Sequence, residues 1–145
     1  MILLNAAMAG VLVAAAATEK PAVVVEAADS PVKIGKATVL TVDGAPPLIL
    51  YAATNQTDND LEQFTVMVFI FEPTGFLKIE QIAPGRRLLE AKTTKYSTIV
   101  LDVGPVDPAA TIVIGVNQAQ RLNSDNWWKA DIKAAAEAAA PRKKP

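Results

Sequence analysis

The segment Leu61 to Glu72, LEQFTVMVFIFE, restricts this chain more than any other part of it. Successive side chains of a strand leave opposite faces, so Phe64, Val66, Val68 and Ile70 share one side and Thr65, Met67, Phe69 and Phe71 the other. Both sides are apolar over much of the run. A strand of that kind lies centrally and is covered twice, either by a second sheet and a packed helix or by a partner molecule. The turn Pro73-Thr74-Gly75 then returns the chain as a hairpin partner over Phe76 to Ile82.

Shorter strands surround this one, separated by Gly, Pro and Asx turns. Val32 to Val42 reads as a half-exposed strand with Val32, Ile34, Leu40 and Val42 on one face, and Gly35 is placed for a bulge or register change. Leu48 to Asn55 follows the Asp43-Gly44 and Pro46-Pro47 turn. Ala83-Pro84-Gly85 reads as a break, after which Arg86 to Glu90 crosses between sheets or forms a short strand. Lys95 to Val103 and Thr111 to Val116 complete the set, with Gly115 allowing a bulge or a close backbone approach. Val23 to Val25 is either a first edge strand or part of a linker spanning 18–31. About seven strands with turns every 8 to 12 residues predict an all-β fold, an antiparallel immunoglobulin-like two-sheet sandwich over 32–120. Residues 121–145 change character: Ser124 or Asp125 is placed to cap an Ala-rich helix over Trp127 to Ala140, weakly anchored beyond its first turns, with a mobile basic tail.

Composition removes most chemistries. Among 145 residues there is no Cys and no His, so no thiolate or imidazole metal ligand, Cys nucleophile, Ser-His-Asp triad or disulfide is available. No metal or cofactor is expected. A net charge of -1 gives no global field toward nucleic acid. Residues 1–17, MILLNAAMAGVLVAAAA, are uncharged and apolar, and the small side chains of Ala15 and Ala17 give an A-x-A cleavage pattern. They predict a signal peptide, hence an exported protein without a transmembrane segment once the leader is removed.

Several features resemble the extracytoplasmic immunoglobulin-like domains of bacterial envelope proteins, including the FxLYD type. They are Asn55 ending a strand before a polar turn, the run Phe64 to Phe71, the Glu72 to Gly75 turn, Ala83-Pro84-Gly85 and the strand Tyr96 to Leu101. The resemblance covers about half the chain. It implies an extracytoplasmic, non-catalytic module, hence a periplasmic or secreted bacterial protein, and carries no site residues. This chain has Phe71-Glu72 where those families have a Tyr-Asp pair.

Two constellations stand out as binding candidates. Arg86-Arg87 beside Gly85 has the chemistry to hold a phosphate or carboxylate, or to form a solvated corner. Trp127-Trp128 places two indoles on opposite sides of an extended segment, one for the core and one for a partner or carbohydrate, unless both close the end of the sandwich. Asp58-Asn59-Asp60 with Glu62 lacks the spacing of a calcium loop and reads as a solvated turn. The sequon Asn55-Gln56-Thr57 reads as a chance match. The expected function is a non-catalytic binding or assembly module that contacts another envelope protein. The alternatives are a carboxylate-dependent hydrolase of envelope polysaccharide and a purely structural domain.

Overall fold

A computed structural model describes residues 17–143. Apart from Ala17, the expected leader lies outside the described residues. The strands are β1 (Thr18–Pro21), β2 (Val23–Val24), β3 (Val32–Thr41), β4 (Leu48–Asn55), β5 (Leu61–Phe71), β6 (Leu77–Leu89), β7 (Thr94–Val100), β8 (Thr111–Arg121) and β9 (Trp127–Lys129), followed by helix α1 (Lys133–Ala139). They form the expected all-β two-sheet sandwich with a C-terminal helix. The first sheet has the order β1-β3-β4-β7 and the second β2-β8-β5-β6, with β9 added to β8. All pairs are antiparallel except β2 with β8. The connectivity is the chain's own. β3 and β4 form a hairpin within the first sheet, and β5 and β6 form one within the second.

β5 has the central place its pattern requires. Phe64, Val66, Val68 and Ile70 join Ile49, Ile99, Ile112 and Ile114 in the core between the sheets. On the far face Phe69 and Phe71 pack with Val113, Ile132 and Ala136. The second cover is therefore the chain's own C-terminal helix. Gly115 makes that cover possible: a Cβ there would lie 2.7 Å from Ile132 Cδ1 and 2.8 Å from the Val25 carbonyl.

Four local readings are corrected. In β3 the register shifts between Ile34 and Ala37, so Val39 takes the inward position while Leu40 turns away from the core. The break at Ala83-Pro84-Gly85 is instead the middle of β6. A bulge opposite Gln63 and Thr65 absorbs it, as an edge strand permits for Pro, and Gly85 leaves room for the Phe64 ring. The helix begins at Lys133, not Trp127, because Trp127 to Lys129 pair with Gln118 to Gln120 as β9. Cross-strand packing of the tryptophans prevails over the helix propensity of the following alanines. Ser124 forms a turn, its Oγ accepting the Asn126 N–H at 3.1 Å, and Asp131 Oδ1 accepts the Lys133 N–H at 3.0 Å. Finally, the Ala run and the tail as far as Lys143 are anchored. Ala136 is fully buried, the Pro141 carbonyl approaches Gly75, and Lys143 Nζ lies 5.3 Å from the centre of the Phe76 ring.

Asn55 closes one end of the sandwich. It is fully buried, its Nδ2 donating to the carbonyls of Asn59 (2.8 Å) and Leu89 (3.0 Å) and its Oδ1 accepting from the N–H (2.9 Å) and hydroxyl (2.8 Å) of Thr57. An amide so committed is inaccessible to a glycosylating enzyme in the folded chain.

Candidate functional site

The four candidate residues lie on the two edges of the second sheet, with β8 and β5 between them. Within β9, Trp128 sits opposite inward-facing Ala119 and packs on the core, while Trp127 is opposite Gln120 on the outer face. The indoles therefore point apart, and both are half-buried. The Trp128 Nε1–H is buried without a partner among the described residues.

Arg86 and Arg87 do not converge on one anion. Arg87 Nη2 holds Glu62 Oε1 at 2.8 Å, whereas Arg86 Nη1 donates to the Tyr96 carbonyl at 3.3 Å. Arg86 thereby protects the free edge of β7. Gln81 does the same further along. Its Nε2 donates to the Val100 carbonyl at 3.1 Å and its Oε1 accepts the Asp102 N–H at 2.8 Å, so one side-chain amide substitutes for a neighbouring backbone amide. Among the described residues neither Arg86 Nε nor the Tyr51 hydroxyl, both buried, makes a well-formed hydrogen bond, although Ser97 lies near enough to the Tyr51 hydroxyl to interact with it. Burial pushes the Tyr51 pKa up, with Ser97 and Arg86 pulling partly against it.

The acidic residues are dispersed. Glu62, Glu80 and Glu90 hold Arg87, Lys133 and Lys95 respectively. Asp60 Oδ1 accepts the Ala91 N–H at 2.9 Å, and Asp58 lies 3.7 Å from Lys92 Nζ. Among the described residues no group of three His, Cys, Asp or Glu side chains is arranged to hold a metal ion, and no helix is long and apolar enough to cross a membrane. No family model, curated protein or solved structure matches the chain.

Two further features emerge only from the fold. The outer face of the first sheet carries an apolar patch among threonines, bordered by Glu19 beside Leu40. Register places Leu40, Leu48 and Val100 side by side in one row, Thr38, Leu50 and Thr98 in the next, and Ala52 with Tyr96 beyond. Tyr96 is 79% exposed, Val100 58% and Leu50 42%. Alternation along Lys95 to Val103 puts Tyr96 and Val100 on one face of β7, and the bulge in β3 turns Leu40 to join them. The second feature is a cavity of about 740 Å³ between the sheets, at the end formed by the β3–β4 and β7–β8 connections.

Proposed function

We propose that this protein is a non-catalytic binding module of the bacterial envelope or secreted fraction, meeting a protein partner through the outer face of its first sheet. The observation that carries this reading is the row structure of that face. Leu40, Leu48, Leu50, Tyr96 and Val100 come together from three adjacent strands, and two of the most exposed large hydrophobic side chains among the described residues are among them. Contiguous exposed apolar surface on a folded domain marks contact sites more often than isolated apolar residues do. An aromatic at the border of such a patch, here Tyr96 on the edge strand, supplies large contact area at low entropic cost. The far face of β5, by contrast, offers a partner nothing, because α1 already occupies it. The export half of the proposal rests on the apolar segment 1–17 and its A-x-A end.

Affinity capture from the native envelope fraction tests the reading, using the full chain and a Leu50→Lys/Tyr96→Lys/Val100→Lys variant. The exposed positions make the variant foldable, and circular dichroism confirms that it is. The wild type retains a discrete partner that the variant loses. Equal capture by both chains, or none by either, overturns the proposal.

A further inference from the structure

The end cavity lies on a different part of the molecule from the protein-contact face. We infer that it is a small-molecule site for an apolar compound carrying a positive charge, an alkylamine or quaternary ammonium. Its volume falls within the range of ligand pockets, about 300 to 1,000 Å³. Val39 and Ile112, both core residues, form its floor. Val106 and Val103 come from the β7–β8 connection, and Pro46 and Pro47 face them from the β3–β4 connection. An apolar floor reaching the core gives an alkyl body a place to leave water.

Charge at the mouth selects the head group. Two carboxylates, Asp43 and Asp107, face one cation, Lys20; Glu19 also borders the cavity, but the register turns its side chain outward beside Leu40. That lysine is already engaged. It sits opposite inward-facing Val39, and its Nζ donates to the carbonyls of Pro108 and Ala110 across the gap between the sheets. Asp107 supplies compensating charge beside it. Asp43 forms no ion pair among the described residues. The mouth therefore has an excess of negative charge that a cationic head group neutralises and a carboxylate head group opposes.

Three probes with the same tail separate body from charge: octyltrimethylammonium, octanol and octanoate, each titrated into the isotope-labelled full chain below its micellar range. The ammonium compound shifts the amide resonances of Val39 to Ala45 and Val103 to Ala110 and binds at least about threefold more tightly than octanol, and octanoate binds weakest. Raising salt to 0.5 M narrows the gap between ammonium and alcohol. Val106→Trp places an indole in part of the cavity and weakens the binding of the ammonium and alcohol probes alike. Asp43→Asn, at an exposed turn, lowers affinity for the ammonium probe and leaves that for octanol unchanged, so the test survives should the Trp variant fail to fold. Absence of binding, octanoate or octanol binding as tightly as the cation, or shifts at other residues overturns the inference.

Discussion

Replacing Ile132 by Ala tests whether the C-terminal segment is a structural cover or an appendage. A helix of seven residues has too few backbone hydrogen bonds to hold itself together in water, so its docking depends on tertiary anchors. Those anchors are Ile132, just before the first helical residue, and Ala136 one turn on; both are buried against Phe69, Phe71 and Val113. Loss of three buried carbons from Ile132 is expected to cost about 2 to 4 kcal/mol, the lower part of the Ile-to-Ala range, because a short terminal helix can resettle over the gap. The same contact can be attacked from the sheet. In Gly115→Ala the added methyl meets Ile132 Cδ1 at 2.7 Å and the Val25 carbonyl at 2.8 Å, which costs about 1 to 3 kcal/mol by overpacking. With Ile132 already shortened, one of those two clashes disappears, so the double variant loses less than the sum of the singles by about 1 kcal/mol. Urea unfolding followed by tryptophan fluorescence and far-ultraviolet circular dichroism measures all four corners of this cycle. An Ile132→Ala variant within about 0.5 kcal/mol of wild type, or a strictly additive cycle, would refute the assignment of this contact as the cover of β5.

Tyr51 carries a pH dependence. Its pKa is raised above the ordinary 10.0 in the folded chain, so above that pH the unfolded chain loses the phenolic proton more readily and stability falls as pH rises toward the folded value. Tyr51→Phe removes that buried, poorly bonded hydroxyl and is expected to stay within about 1 kcal/mol of wild type at pH 7 and to flatten the alkaline decline; an unchanged decline in urea midpoints between pH 9 and 11 refutes this. Gln81→Ala should cost about 0.5 to 1.5 kcal/mol for its two exposed hydrogen bonds but markedly increase self-association, because it opens the edge of β7. Light scattering at rising concentration detects the effect, and a variant as monodisperse as wild type counts against edge protection.

The strands legible in the sequence are those whose signal is local. β4 spans Leu48–Asn55 as read, and the double-faced β5 ends one residue short of its expected limit, since alternation and flanking turn residues suffice to define both. The sequence left open whether a helix or a partner covers β5, because the answer depends on Ile132 meeting the space at Gly115. β9 was hidden for a similar reason. Nothing near Trp127 announces that Gln118 to Gln120 will present an edge to pair with. For the candidate sites, Arg86-Arg87 looked like a single basic corner, yet their partners, Tyr96 and Glu62, are brought in from other strands. The apolar face of the first sheet required the register of three strands and one bulge to become visible. Side-chain alternation marks faces well; it does not reveal which faces become neighbours.

The first strands also govern the order in which the fold can be completed. β1 pairs with β3 in one sheet, and β2, after the single residue Ala22, pairs in parallel with β8 in the other. Hairpins such as β3–β4 and β5–β6 close short loops and can assemble early, whereas the β2–β8 ladder joins opposite ends of the chain and carries the greatest loop-closure cost. During synthesis the two central hairpins exist before β8 does, and the far face of β5 stays bare until Ile132 arrives. The interval between those events is when this chain is most exposed to aggregation, and a holding chaperone would find its target in Phe69 and Phe71.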